Sequence, residues 1–215
     1  MTPSMTPARR ILAVSVLTLG LAVAAAAAEK GDASAGAAKA ATCIACHGPN
    51  GNSTSATLGP VIAGQNASYT RDQVKRIKAG QRPNPTMQPL VKDLTDQDIA
   101  DIAAYFANQT PTGNEADPSY WKAGEKLYRS GDMARGIPAC AACHGPYGRG
   151  NPAAGYPALQ AQHAVYTVKQ LDGYAADTRY AKDAAGPNAP IMKVIAARLT
   201  PEDRRNLASY IQGIR

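Results

Sequence analysis

Two copies of one six-residue string carry the residues of this chain that are best suited to chemistry. The strings read CIACHG at 43–48 and CAACHG at 140–145. Together they use all four cysteines and two of the three histidines of the 215-residue chain. Cysteines three positions apart project from the same side of a helical turn, so both thiols of a string can bond to one flat group. The histidine that follows directly can then turn its ring toward the centre of that group.

A C-x-x-C-H string is typical of covalent attachment of a c-type haem, with two thioether bonds from the cysteines and one iron bond from the histidine. A C-x-x-C pair is also compatible with a redox-active disulfide or with half of a zinc site. Neither alternative requires a histidine at the same offset in both copies. The sequence therefore predicts two covalently bound haem c groups. The residues that attach the porphyrins are Cys43, Cys46, Cys140 and Cys143, and those that bind iron from one side are His47 and His144.

The second axial ligand decides what a haem iron can do. Met87 and Met192 hold equivalent positions, each seven residues before a leucine that precedes the last predicted helix of its repeat. Both lie in proline-bearing segments, PNPTMQP and PNAPIMK, which we expect to be loops outside the helices. Methionines also serve as flexible core filler, but two at matching positions favour ligation from the opposite haem face. Met133 has no counterpart, and we expect it to pack or to lie on the surface.

Other polar residues are candidates for supporting roles. His163 lies just before a predicted helix, where we expect a cap or a local hydrogen bond, although a His/His haem would need it. Pro60 and Pro157 each lie 13 residues after a haem histidine, and their carbonyls are candidates to accept the other imidazole N–H. Arg82 and Arg179 are candidates to pair with haem propionates, with exposed surface positions as the alternative.

The elements that position these residues also occur twice. A shift of 97 residues aligns GQNASYTRDQVKRIKAGQR with AQHAVYTVKQLDGYAADTR. The second copy then contains eight extra residues, around AKDAAGPN. After them, a shift of 105 residues aligns the final segments of the two copies. Thr95 and Thr200, each with an aspartate three residues on, predict helix N-caps with capping boxes. Further helices are expected at about 32–42, 67–79, 119–130 and 164–176, and no strand is predicted. Each repeat is therefore expected to be all-α.

The chain divides into three parts by composition. Residues 1–28 have the pattern of a secretory signal peptide, with two arginines, a continuous run of apolar and small residues, and AAA before Glu29; an uncleaved anchor is the alternative. We place one domain at 29–111 and a second at 112–215, joined through the polar connector NQTPTGNEADPS. One Phe and one Trp leave the chain short of large core side chains, a gap that haem would fill.

Charge excludes one class of partner and gives a weak indication of another. The formal net charge is +7, but the basic residues are scattered without a run beside aromatic residues, so nucleic-acid binding is not predicted. Residues 111–215 hold 13 Lys and Arg against 9 Asp and Glu, whereas residues 29–110 hold 8 against 7. The surface of the second domain is thus expected to be the more basic, which can weakly orient acidic partners.

These motifs together resemble the dihaem cytochrome c4 family. The resemblance rests on CIACH with Met87, CAACH with Met192, the two middle-helix segments and the closing LTDQDIADIAAYFA, and it covers nearly all residues after 28. It implies an all-α fold of two tandem cytochrome c-like domains, each a few helices wrapped round one His/Met haem. It also implies a periplasmic electron carrier, not an enzyme, with possible loose membrane association. Expected partners are redox proteins such as a terminal membrane oxidase or a quinol-cytochrome c reductase.

Two other functions are compatible with the same motifs. A dihaem peroxidase-type enzyme would need an iron that can open a position for peroxide, which a methionine candidate in both repeats argues against. A haem subunit of a larger respiratory or dehydrogenase complex would use the same domains as a free carrier.

Overall fold

The computed structural model describes residues 30–215, so the predicted signal peptide lies outside the described part of the chain. Ten α-helices form within these residues: α1 (Ala33–Lys39), α2 (Ala41–His47), α3 (Ala67–Lys78), α4 (Gln88–Val91), α5 (Asp96–Ala107), α6 (Trp121–Ser130), α7 (Ala141–His144), α8 (Ala164–Ala175), α9 (Ala189–Arg198) and α10 (Pro201–Gly213). No strand occurs between residues 30 and 215, only two isolated bridges. No helix in the same range is long and apolar enough to cross a membrane. The all-α expectation is confirmed.

Most predicted helices occur within a few residues of their expected ends, with two differences. The helix expected at 32–42 is divided at Ala40 into α1 and α2. The expectation that both methionines lie outside helices is wrong for Met192, which lies within α9, while Met87 is the N-cap of α4. Pro89 and Pro190 occupy the first turns of these helices. Proline is tolerated there because the first-turn N–H groups have no partner within the helix, so these prolines begin helices instead of breaking them.

The last helix of each half begins with the predicted capping box. Thr95 Oγ1 accepts from the N–H of Asp98 at 3.1 Å, and the Asp98 carboxylate accepts from the N–H of Thr95 at 2.9 Å. Thr200 and Asp203 repeat the arrangement at 3.1 and 2.8 Å. Two of the N–H groups at each helix start are thereby satisfied, which fixes where α5 and α10 begin.

The first and last helices of each half cross at a glycine. α1 packs on α5, and α6 packs on α10. A Cβ added at Gly36 would lie 2.0 Å from the carbonyl oxygen of Asp101, and one added at Gly124 would lie 2.0 Å from that of Asn206. The backbones therefore touch directly at both crossings, and no larger residue fits without separating the helices.

The apolar cores differ in size between the halves. The N-terminal half has a buried cluster of only three residues, Ala40, Ile102 and Phe106. The C-terminal cluster has eight, Leu127, Tyr128, Ile137, Leu199, Leu207, Tyr210, Ile211 and Ile214. Large aromatic side chains are few in both clusters, as the composition predicts. A large apolar group bound in each half would supply the missing buried surface.

The two halves contact each other through side chains that repeat with the 97-residue shift. Arg82 Nη2 donates to the Tyr166 hydroxyl at 2.9 Å, and Arg179 Nη2 donates to the Tyr69 hydroxyl at 2.8 Å. Each arginine thus bonds to the tyrosine of the opposite half. The pairing is reciprocal, as expected for two repeats related by a pseudo-twofold axis.

The eight extra residues of the second repeat add a contact that has no counterpart. Arg76 Nη1 donates to the carbonyl oxygen of Ala184 at 2.7 Å, and the N–H of Ala181 donates to the carbonyl oxygen of Gln81 at 2.8 Å. The insertion therefore lies against the N-terminal half and extends the interface on one side only.

Candidate haem sites

The cysteines of both strings lie on short helices and are half-buried. Cys43 and Cys46 belong to α2, while Cys140 is the N-cap of α7 and Cys143 lies within it. All four are free thiols, so neither pair is closed as a disulfide. Burial raises the pKa of Cys43, and it raises the pKa of Cys140 to about 11. Catalytic redox cysteines have lowered pKa values, and neither Cys43 nor Cys140 has that character.

The string histidines are buried and fixed by backbone carbonyls, as predicted from the spacing. His47 Nδ1 lies 2.8 Å from the carbonyl oxygen of Pro60, and His144 Nδ1 lies 2.9 Å from that of Pro157. A carbonyl oxygen can only accept, so Nδ1 carries the hydrogen in both rings. Burial lowers the pKa of both imidazoles, which keeps them neutral near pH 7. In a neutral ring protonated at Nδ1, the Nε2 lone pair is free to bind a metal.

The candidate methionines sit in half-buried positions beside exposed apolar side chains. The backbone N–H of Met87 donates to Asn84 Oδ1 at 3.1 Å, which fixes the start of α4. Near the two methionines, Leu90 is 53% exposed, Ile191 46% and Val194 51%. Apolar surface of this kind suits contact with the flat apolar body of a porphyrin. Ligation by Met87 and Met192 stays a prediction.

Arg179 has a hydrogen-bonding capacity that the protein does not use. The side chain is only 8% exposed, and its Nη1 is buried without a partner. Nη2 donates to Tyr69 and, at 3.3 Å, to Gln73 Oε1. A buried guanidinium with a free N–H group calls for an anion. A haem propionate carries the required negative charge, so Arg179 fits the group, and the alternative of an exposed surface position is wrong for Arg179.

His163 lies away from the two strings and contacts the connector. It is 4% exposed, its Nδ1 lies 3.3 Å from Asn114 Nδ2, and its Nε2 is buried without a partner. It is the N-cap of α8, but its side chain makes no capping bond there. The expectation of a cap or a local hydrogen bond is therefore wrong, because the side chain of His163 pairs with Asn114, 49 residues away in the sequence. Met133 is 78% exposed, in agreement with a surface role.

A shared zinc site does not form. Within residues 30–215, no group of three or more His, Cys, Asp and Glu side chains is placed to hold a metal ion. The two C-x-x-C pairs therefore remain separate, each with its own histidine. This arrangement suits two independent haem attachments and not one pooled site of four cysteines.

Sequence reasoning missed one pair of residues that the structure brings close to these histidines. Gln65 and Gln162 each reach into the opposite half and bond to the residue that follows the proline acceptor. The only signal in the sequence is their equivalence under the 97-residue shift, five residues after each proline. That signal indicates a shared role but not which residues the side chains meet.

Both halves of the chain match known proteins. The family described as "Cytochrome c" matches residues 121–215, and that described as "Cytochrome C oxidase, cbb3-type, subunit III" matches residues 31–106. Cytochrome c4 of Azotobacter vinelandii is 45% identical over 214 residues, covering 95% of this chain and 99% of that protein. Cytochrome c4 of Pseudomonas aeruginosa is 46% identical over 205 residues, covering 95% and 98%. The crystal structure of reduced recombinant cytochrome c4 from Pseudomonas stutzeri has a TM-score of 0.80 and 44% identity, covering 86% of this chain and 100% of that chain.

Proposed function

Because the chain belongs to the cytochrome c4 family of c-type electron carriers, with a covalently bound haem c in each of two cytochrome c domains, we propose that it is a periplasmic carrier between membrane redox complexes. Residues 1–28 direct export and are then removed. The domains span 29–111 and 112–215. A terminal oxidase is the proposed acceptor, and a quinol-cytochrome c reductase is a suitable donor. The chain itself makes and breaks no substrate bonds.

The observation that carries this proposal is the pair of buried imidazoles held at Nδ1 by the carbonyl oxygens of Pro60 and Pro157. We assign one axial ligand set to His47 with Met87 and the other to His144 with Met192. When bound, haem supplies a one-electron change between Fe(III) and Fe(II), with methionine sulfur favouring the reduced state. The hydrogen bonds to the Pro60 and Pro157 carbonyl oxygens hold each imidazole in one orientation. The histidine ligand therefore need not move when the charge on the iron changes.

The number of protein ligands on each iron distinguishes an electron carrier from a dihaem peroxidase-type enzyme. A methionine sulfur in each half leaves no position for peroxide, whereas a peroxidase-type enzyme needs one. A haem subunit of a larger complex would have the same ligands, and stable co-purification with a partner would distinguish that role from a free carrier.

The axial set is tested on the purified holoprotein. A pyridine haemochrome assay should give two haems per chain, and redox titration should give two one-electron steps. The weak absorption band at the red end of the oxidised spectrum, which reports iron–methionine bonding, should fall by about half in each of Met87→Ala and Met192→Ala. Met133→Ala is the matched control and should keep the full band, because this side chain is exposed. One haem per chain, or carbon monoxide binding to the reduced wild-type protein at neutral pH, would contradict the proposal.

Location and partner need separate measurements. The haem-stained protein should be released with the periplasmic fraction, without residues 1–28 by mass spectrometry. Membranes that contain a terminal oxidase should reoxidise the reduced protein. Retention of haem protein in the cytoplasm would contradict the proposed location, and an unchanged reduced spectrum after addition of membranes and oxygen would contradict the proposed acceptor.

A further inference from the structure

Two glutamine side chains exchange hydrogen bonds between the halves. Gln162 Nε2 donates to the carbonyl oxygen of Val61 at 2.8 Å, and Gln162 Oε1 accepts from the N–H of Val61 at 3.0 Å. Gln65 Nε2 and Oε1 make the same two bonds with Ala158, both at 2.8 Å. Each amide therefore pairs with both polar groups of one buried residue in the opposite half. We refer to these as the glutamine clamps.

Each clamp bonds to the peptide unit that orients a haem histidine. The carbonyl of Pro60 and the N–H of Val61 belong to one peptide group. That carbonyl accepts from His47 Nδ1, while the N–H donates to Gln162. The result is a continuous chain of hydrogen bonds from Gln162 in the C-terminal half to His47 in the N-terminal half.

The second clamp runs in the opposite direction through equivalent atoms. Gln65 Oε1 accepts from the N–H of Ala158, whose peptide group contains the Pro157 carbonyl that accepts from His144 Nδ1. Hydrogen bonds at the two ends of one peptide group polarise each other. A partner on the N–H makes the carbonyl a better acceptor, and a better acceptor at Nδ1 makes the imidazole a more basic ligand through Nε2.

We propose that Gln65 and Gln162 are positioning residues that act across the interface, each setting the ligand strength of the haem histidine in the opposite half. The inference rests on the proposed electron-carrier function. A more basic imidazole stabilises the oxidised iron, so loss of a clamp raises the reduction potential of the haem opposite. Loss of Gln162 acts on the N-terminal haem, and loss of Gln65 acts on the C-terminal haem.

The test uses Gln162→Met and Gln65→Met in the holoprotein. A redox titration followed by NMR resolves the haem methyl resonances of each half, so the two potentials are read separately. Gln162→Met should increase the equilibrium constant for reduction of the N-terminal haem about threefold, which raises its reduction potential by roughly 30 mV for a one-electron couple. The potential of the C-terminal haem should change much less. Gln65→Met should show the reverse pattern.

Gln109→Met is the matched control. Gln109 is half-buried, and its Nε2 donates to the Tyr105 carbonyl oxygen of its own half at 2.9 Å, a bond that involves neither clamped peptide group. It should shift neither potential. Where Gln162→Met fails to fold, Gln162→Asn keeps a polar amide but is one methylene too short to reach Val61, and it should give the same shift.

The pattern across the two haems decides the outcome. Equal shifts of both haems in each variant, a shift confined to the mutated half, or no shift in any clamp variant would overturn the inference. Failure of the proposed function would appear instead in the wild-type protein, as a single redox step or a haem without methionine ligation. The two failures are therefore distinguishable.

Discussion

Replacement of Gly124 by alanine should destabilise the C-terminal half. An added Cβ would lie 2.0 Å from the Asn206 carbonyl oxygen, whereas ordinary contact begins at 3.4 Å, so α6 and α10 would have to separate by about 1.4 Å. Overpacking of this kind typically costs about 1–3 kcal/mol. Alanine favours the helix over glycine by about 0.5–1 kcal/mol. The difference between these two ranges is a net loss of about 0–2.5 kcal/mol in the free energy of unfolding, with about 1 kcal/mol near its middle.

A second glycine of the same half provides the control. Gly173 lies in α8, and the nearest atom to an added Cβ would be 3.6 Å away. Its equivalent in the first repeat is Arg76, so the fold accommodates a side chain at this position. Gly173→Ala should stabilise the half by about 0.5–1 kcal/mol, because only the helix preference changes.

The assay is thermal unfolding of the holoproteins followed by tryptophan fluorescence. Trp121, the single tryptophan of the chain, begins α6 and so reports on the helix that carries Gly124. A loss of about 1 kcal/mol should lower the Tm by roughly 4–8 °C for a domain of this size. The reasoning is refuted if Gly124→Ala melts at or above the wild-type temperature, since direct backbone contact at the crossing would then not limit the packing.

Three further predictions concern the cap, an ion pair and the buried arginine. Thr200→Ala removes the acceptor for the Asp203 N–H, and the Tm of the C-terminal half should fall by roughly 4–8 °C, equivalent to about 1 kcal/mol, in the same assay. The Arg135 guanidinium holds the pKa of Asp203 below its usual value. The ionised carboxylate therefore stabilises the fold fully above about pH 4, and this stabilisation is lost as the pH falls further. The difference in Tm between wild type and Asp203→Asn should narrow over the same fall in pH. Arg179→Met removes a buried positive charge. The reduction potential of the haem whose propionate binds Arg179 should therefore fall in a redox titration. Unchanged potentials of both haems would contradict the assignment of Arg179 to a propionate.

The sequence predicts what depends on local patterns and fails where distant segments meet. The carbonyl partner of His47 could be predicted because the 13-residue spacing to Pro60 occurs twice and the histidine needs an acceptor at Nδ1. The loop expected at Met192 is wrong because prolines begin helices as well as end them, and Pro190 lies in a first turn. The contact between Gln162 and Val61 joins residues 101 positions apart. It depends on how the halves dock, which no local pattern specifies.

The interface makes the two haem sites inequivalent even though their predicted ligands are matched. Arg179 lies over the rings of Tyr174 and Tyr180, at 4.8 and 5.4 Å from their centroids. The equivalent residues of the first repeat are Ile77 and Pro83, so Arg82 has no aromatic faces at these positions and stays half-buried. A charge with less access to water is screened less and acts more strongly on its surroundings. This difference at the interface should therefore contribute to any difference between the two potentials.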